Sequence, residues 1–285
     1  MTHTLTRPSR PAPPAAPSAR FQAPPAAPRS AEGAIHAALG GFAPISLAEM
    51  DAVALLNRTD SKYVLPAALL AAILPRLLGD YRVLELEGRR AHRYHTLYFD
   101  TADFELYRQH HAGRRVRYKV RSRAYLDSGR AFLEIKQKTS AERTVKQRLA
   151  TAGLLAAFDE QAAGFVARHA PLDPRDLAPR LWNDFSRITL VSLGAGERVT
   201  LDLGLCFGRD GRRLDLPGVA VAEIKRAGFS NDSAMMRQLR QANLHQGGFS
   251  KYCAGAALLY DTLPRNNLKP ALRRVAAITK ESRDV

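Results

Sequence analysis

The chain has 285 residues, 46% of them hydrophobic, which is enough for one large domain or two small ones with a sizeable core. Its 43 Lys and Arg residues outnumber its 27 Asp and Glu residues, which gives a formal net charge of +16 at pH 7. Two isolated cysteines are too few for a disulfide framework or a thiolate metal site, and no apolar run is long enough to span a membrane.

The basic balance favours a polyanionic partner: nucleic acid, an anionic membrane surface or phosphorylated small molecules. The alternative is a basic surface that only keeps the protein soluble. The low cysteine content fits a reducing compartment, and prolines stand where a signal peptide would have its apolar stretch. We therefore expect a cytoplasmic protein.

Composition divides the chain into three regions. Residues 1–33, rich in Pro and Ala, predict a disordered tail. Residues 34–264 show neither a repeat nor a linker and predict a single domain, and residues 265–285 predict a basic C-terminal tail.

The first predicted elements of the domain are two helices and two weak strands. Ser46 and Glu49 form a capping-box pattern at the start of the first helix. A weak strand pattern over 57–64 precedes a helix that Pro66 can start, and another weak strand pattern follows at 82–87.

The middle of the chain carries the clearest alternation. A strand over 93–99 leads into a helix that Asp100 or Thr101 can cap, and strands follow at 115–125 and 131–138.

The last part of the domain alternates helices and strands. An Ala-rich helix is predicted over 152–169, and three strands follow it. A helix capped by Ser230 or Asp232 and a final apolar helix near 252–260 complete the domain. The three strands are predicted at 185–191, 198–203 and 219–225. About eight strands result, most of them antiparallel.

One face of strand after strand is charged. The stretch RVRYKVRSR at 115–123 places five cations on one face, because side chains alternate along a strand. Other strands place Lys136 beside Glu134, or Lys225 beside Glu223, opposite an apolar face. These are the five cations: Arg115, Arg117, Lys119, Arg121 and Arg123.

Two architectures agree with this pattern. One is an antiparallel sheet with a single face in water. The other is a closed barrel covered by helices, whose lumen holds the cations. A lumen lined by so many cations needs counterions or an anionic ligand. We expect the barrel, an α+β fold with a closed eight-stranded antiparallel sheet and a polar, basic lumen.

Seven short segments in order resemble VTC domains, the polyphosphate polymerase domains of the vacuolar transporter chaperone family. That family is part of the CYTH-like triphosphate tunnel metalloenzymes. The similarity spans about 57–253, nearly the whole predicted domain. The segments are RTDSKY from Arg58, YFDT from Tyr98, RSRAY from Arg121, FLEIK from Phe132, KQR from Lys146, EIK from Glu223 and FSKY from Phe249.

The resemblance implies an eight-stranded tunnel that binds a nucleoside triphosphate with Mn²⁺ or Mg²⁺ and transfers phosphate from ATP to a polyphosphate chain. The phosphate-handling residues that it implies are Lys62, Arg121, Arg123, Lys136, Lys146, Arg187 and Lys251. Further substrate-binding candidates are Arg58, Tyr63, Lys119, Lys138, Arg198 and Lys225. The metal ligands would be Glu223, Glu134 and Asp202.

One departure distinguishes branches of the superfamily. Its hydrolases and cyclases begin with Glu-x-Glu-x-Lys, whereas this chain has Arg58-x-Asp60-x-Lys62. Fewer carboxylates favour direct phosphate binding, so we expect a polymerase that releases ADP. A triphosphate or polyphosphate hydrolase and a non-catalytic polyphosphate or nucleotide sensor stay open.

The expected partners are ATP and inorganic polyphosphate. Nucleic acid ranks last, because only Tyr118 lies within the cation array and it is on the opposite face. Delivery of a product across a membrane would need a membrane-protein partner.

Overall fold

The structure is a computed structural model that describes residues 29–52, 58–141, 143–227 and 233–284. Most of the predicted N-terminal tail therefore lies outside the described residues, as does the side chain of Arg58.

The described elements alternate strands and helices. The helices are α1 Arg29–Gly40, α2 Leu47–Ala52, α3 Ala67–Ile73, α4 Glu105–His111, α5 Glu160–His169, α6 Ala234–Gln241, α7 Lys251–Leu259 and α8 Lys269–Glu281. The strands are β1 Ala43–Ile45, β2 Arg58–Pro66, β3 Arg82–Leu84, β4 His92–Asp100, β5 Arg117–Tyr125, β6 Arg130–Lys138, β7 Thr144–Thr151, β8 Ala178–Ser192, β9 Glu197–Arg209, β10 Arg212–Asp215 and β11 Val219–Ala227.

Eight strands form one continuous antiparallel path in the order β2-β11-β9-β8-β4-β5-β6-β7. This sheet curls around a central cavity to which all eight strands contribute side chains, so the predicted tunnel fold is confirmed. In the described pairing, β2 and β7 end the path and do not pair with each other. The two ends of the sheet nevertheless lie close together, since Lys136 of β6 interacts electrostatically with Lys62 of β2 and Glu223 of β11 across the gap.

A glycine-containing loop covers part of the open edge of β2. The backbone N–H of Gly247 donates to the carbonyl of Lys62 at 2.9 Å. At least one backbone carbonyl on the unpaired edge of β2 therefore has a hydrogen-bond partner outside the sheet.

The apolar faces of the strands point outward under helices. Helices α1, α3 and α6 cover one part of the sheet and α5 covers another. Burial of this surface supplies the main stabilisation of the barrel, because the inner face is polar.

Helix α7 lies at one end of the cavity. Its residues Tyr252 and Cys253 belong to a buried cluster with Tyr98 and Val221, and those two residues also line the cavity. The helix therefore combines an apolar contact with the barrel and a polar N-terminus that faces the lumen.

The eight tunnel strands are not quite the eight that the sequence predicts. The weak pattern at 82–87 becomes β3, which pairs with β1 and β8 beside the main path. Strand β7 was not predicted. Its side chains are mostly exposed on both faces, so it lacks the apolar alternation that indicates a strand.

The structure also changes two boundaries. The predicted helix over 152–169 begins only at Glu160, after Asp159, whose side chain accepts from the N–H of Ala162. Residues 269–281, predicted as part of a tail, form α8, whose Val275 and Ile278 are buried in the cluster with α7. The folded body therefore continues past residue 264.

The predicted caps mostly hold. Ser46 and Glu49 form the capping box, with the Ser46 hydroxyl donating to Glu49 at 2.7 Å. Asp100 accepts from two backbone N–H groups at the start of α4. Helix α6 is capped by Ser233, and the predicted caps Ser230 and Asp232 lie outside the described residues.

Candidate functional site

The central cavity has a volume of about 1250 Å³ and a strongly basic lining. Alternation along each antiparallel strand places every second side chain inside, so the charged faces predicted from the sequence meet around one lumen. The cations on its wall include Lys62, Lys119, Arg121, Arg123, Lys136, Lys146, Arg148, Arg187, Arg198, Lys225 and Lys251.

Three carboxylates in or beside the lumen each contact two of these cations. Glu134 of β6 is the most enclosed, with only 1% of its side chain exposed. One of its oxygens accepts from Arg121 of β5, at 2.7 Å from Nε, and the other contacts Lys146 of β7. Burial alone would raise the pKa of Glu134, but Arg121, Arg123 and Lys146 lower it to about 2.

Asp202 of β9 forms a similar centre. Arg187 of β8 donates to both carboxylate oxygens, at 2.6 and 2.8 Å, and Lys251 at the start of α7 contacts one of them. Burial would raise the pKa of Asp202, but Arg187 and Lys251 hold it well below its usual range. This bidentate pair joins two strands and the helix.

Glu223 of β11 is held more loosely. Lys225 lies 2.8 Å from one of its oxygens, and Lys62 lies 3.7 Å from the other. Burial would raise its pKa, but Lys62 and Lys225 keep it far below the usual value. Of the three carboxylates, Glu223 is the most exposed, with 18% of its side chain accessible.

A stacked pair of aromatic rings contacts three of these cations. Tyr94 of β4 and Phe185 of β8 lie with ring centroids 5.0 Å apart and planes 4° from parallel. Arg123 and Arg187 lie within 5.5 Å of both rings, and Lys251 lies 4.6 Å from the Phe185 ring. The negative ring faces stabilise these cations without using up their donors.

The pKa values of several lumen lysines are lowered. Burial comes first, and neighbouring cations add to it, lowering the pKa of Lys119 and of Lys136 to about 8. The pKa values of Lys146 and Lys251 also fall to about 8, chiefly through burial and despite their carboxylate partners. Lys and Arg residues on the cavity wall also outnumber the Asp and Glu residues there, so the lumen carries a net positive charge.

Most of the predicted site residues meet in this cavity. The exceptions are informative. Tyr63 lies on the opposite face of β2, where its hydroxyl contacts the Met236 sulfur at 3.2 Å, so its predicted substrate contact is corrected to a packing role. Lys138 lies at the end of β6 and does not line the cavity. Glu134 is enclosed behind the two cations that contact it, Arg121 and Lys146.

Only part of the cation array at 115–123 lines the cavity. Lys119, Arg121 and Arg123 line the cavity, whereas β5 begins only at Arg117. Arg115 precedes the strand and is exposed. Arg117 donates to the carbonyl of Arg114 at 2.6 Å.

The described residues contain no group of three His, Cys, Asp or Glu side chains close enough to hold a metal ion by themselves. Each of the three predicted ligands is paired with two cations, and Glu223 is the most exposed of them. Hard cations such as Mg²⁺ commonly use one or two carboxylates together with substrate phosphates. The site fits a cation that binds together with a phosphate chain.

Sequence reasoning missed the aromatic wall and the outer cations. Tyr94, Tyr125 and Phe132 also line the cavity. Side chains alternate between the two faces of a strand, and each of these rings lies an even number of residues from another cavity-lining residue on its own strand. Their inward orientation could therefore have been predicted. Further cations from the strand ends and loops complete the wall: Arg89, Arg93 and Arg130.

Together these features define an antiparallel β-tunnel protein with a basic, anion-binding lumen. The VTC domain family model matches residues 57–260, most of the chain. The chain belongs to the VTC domain family, as its seven segments indicated. No curated protein matches it.

Solved structures give distant matches. A "putative adenylate cyclase" from Vibrio parahaemolyticus is 14% identical, with a TM-score of 0.40, over 68% of this chain and 94% of that one. A "putative adenylyl cyclase" from Hippeastrum, described as having a dominant triphosphatase activity, is 16% identical, with a TM-score of 0.44, over 73% and 98%.

Proposed function

We propose that the chain is an ATP-dependent polyphosphate polymerase, a phosphotransferase that moves the terminal phosphate of ATP onto a growing polyphosphate chain and releases ADP. The observation that carries the proposal is the excess of Lys and Arg over Asp and Glu on the cavity wall, while the carboxylates of Glu134, Asp202 and Glu223, in or beside the lumen, are each already paired with two cations. A linear polyanion would balance this charge along the length of the lumen. Membership of the VTC domain family supports this choice.

The chain's own residues supply what phosphoryl transfer requires, which is mainly positioning and charge stabilisation. Arg123 uses its Nε on the Thr96 hydroxyl at 3.0 Å, and no carboxylate bond is described for it. Its remaining donors are available for phosphate oxygens, which guanidinium groups bind in pairs. Lys119 and Lys136 provide further point charges on the lumen wall.

The state of Glu134 favours transfer to phosphate over transfer to water. A hydrolase benefits from a base that orients water, and Glu134 would be the candidate for that role. Its pKa of about 2 and its two cationic partners make it a weak base near neutral pH. A polyphosphate end needs no such base, because its terminal oxygen is largely deprotonated there.

Glu223, with phosphate oxygens, is the proposed place for Mn²⁺ or Mg²⁺. The cation would supply further positive charge to the phosphates when bound. In the described residues no helix is both long and apolar enough to cross a membrane. A cytoplasmic location and a membrane-protein partner stay predictions, as does the exclusion of nucleic acid.

The test is to incubate the purified chain with ATP and either Mn²⁺ or Mg²⁺, with and without a short polyphosphate primer, and to measure ADP and polyphosphate. We expect ADP and polymer to appear together. Release of inorganic phosphate without polymer would indicate the hydrolase, and tight binding without turnover would indicate the sensor. Either result would overturn the polymerase.

A further inference from the structure

An aromatic row crosses four neighbouring strands of the tunnel wall. Beyond the stacked Tyr94 and Phe185, the Tyr125 ring lies 4.8 Å from Tyr94 at 57°, and the Phe132 ring lies 5.7 Å from Tyr125 at 83°. The row therefore runs from β8 through β4 and β5 to β6. Tyr125 is the last residue of β5, so this part of the row lies at one end of the strands.

The two halves of the row have different surroundings. Tyr94 and Phe185 carry cations over their faces, as described above. For Tyr125 no cation over the ring is found among the described residues, and Phe132 has the guanidinium of Arg148 at 5.2 Å from its centroid. Both Tyr125 and Phe132 are only partly buried, although they line a polar, basic cavity.

Partly exposed aromatic surface in a basic cavity suits a ligand that combines a flat ring system with negative charge. Nucleobases stack on aromatic side chains and on Arg guanidinium planes. Rings without a flat partner would instead face water that they cannot hydrogen-bond.

We infer that Tyr125 and Phe132, with Arg148 on the Phe132 ring, form the stacking site for the base of a nucleoside triphosphate. The inference deepens the proposed function and rests on it for the identity of the ligand. The phosphates then extend along β5 towards Arg123 and Arg121. Arg121 is four residues from Tyr125, about 13 Å at 3.3 Å per residue, a distance that a ribose and a triphosphate together can span.

A stacking site predicts a particular specificity. Every base has a π-face, so stacking alone discriminates weakly between bases of similar size. We expect ATP and GTP to bind with similar affinity, and both to bind more tightly than inorganic tripolyphosphate, which has the phosphates and no base.

The experiment measures the affinities for ATP and tripolyphosphate by titration calorimetry for the full chain and for Tyr125→Leu and Phe132→Leu. We expect each substitution to weaken ATP binding about tenfold, within the range found when a stacking ring is removed, and to change tripolyphosphate binding by less than about twofold. Tyr118→Leu is the matched control. It lies on the same strand but packs on the outer face, where its hydroxyl accepts from Gln137 at 2.8 Å.

Equal losses for both ligands, or no loss for either, would overturn the stacking site. If the leucine variants fail to fold, wild type decides: similar affinities for ATP and tripolyphosphate overturn the site as well. Tyr125→Phe, which keeps the ring, should bind ATP like wild type. These measurements need no turnover, so a selective loss of ATP binding would support the site even if no polymer forms.

Discussion

At the scale of single residues, Glu223 separates catalysis from simple anion binding. Glu223→Gln removes the proposed metal ligand and keeps Lys62 and Lys225. We expect metal-dependent activity to fall at least about 100-fold, because a bound cation contributes several kcal/mol to charge stabilisation. Tripolyphosphate binding measured in the absence of metal should stay the same or tighten, since one negative charge leaves the lumen. Steady-state kinetics and calorimetry measure the two effects.

Asp215→Asn is the matched control for this substitution. Asp215 is also a carboxylate paired with a cation, Arg213 at 2.7 Å, but it lies on β10 outside the tunnel path. Its replacement should leave activity unchanged. Full activity of Glu223→Gln at all metal concentrations would contradict the metal role.

At the scale of elements, the close contact between α7 and β9 positions Lys251. A Cβ added at Gly255 of α7 would lie 2.5 Å from Cδ1 of the Phe207 ring. Gly255→Ala should therefore destabilise the protein by about 1–3 kcal/mol, the usual cost of overpacking. Any shift of α7 also moves Lys251 away from Asp202, so phosphate binding should weaken too. Urea unfolding and calorimetry test both effects.

Another helical glycine provides the comparison. Gly164 of α5 has nothing within 4 Å of an added Cβ. Gly164→Ala should stabilise the protein by up to about 1 kcal/mol, since alanine is the better helix former. If the two alanine variants are equally stable, α7 does not pack closely on Phe207.

At the scale of the whole molecule, the crowded cations make ligand binding depend on pH. Burial in the lumen lowers the pKa values of Lys119, Lys136, Lys146 and Lys251 to about 8. A bound phosphate chain favours the charged lysines and raises these values, so binding near pH 8 takes up protons. Affinity is then greatest below pH 8 and falls as pH rises, by up to about tenfold per pH unit for each titrating lysine.

Calorimetry of tripolyphosphate binding at pH 8, in buffers with different ionisation enthalpies, counts the protons taken up. Lys119→Arg is the control, because arginine keeps the charge and does not titrate in this range. It should reduce the uptake. Equal affinities at pH 7 and pH 9 would show that these lysines do not titrate in this range.

Local patterns in the sequence predicted the parts of this molecule that depend on near neighbours. Period-two alternation gave the charged inner faces of β5, β6 and β11, and local side-chain bonds gave the cap at Ser46. Strand β7 was not predicted because its side chains are mostly exposed on both faces, so its sequence lacks the alternation of apolar and polar residues that indicates a strand.

Tertiary structure alone decided which charges meet. Lys146 and Arg121 share Glu134 across three strands, and Lys251 reaches Asp202 from a helix 49 positions later in the chain. The aromatic row likewise depends on register between strands that the sequence does not fix. The amino-acid sequence by itself determined that a basic, one-sided face exists. The curling of the sheet determined that it encloses a lumen, because pairing between distant strands brings its cations close enough to require an anion.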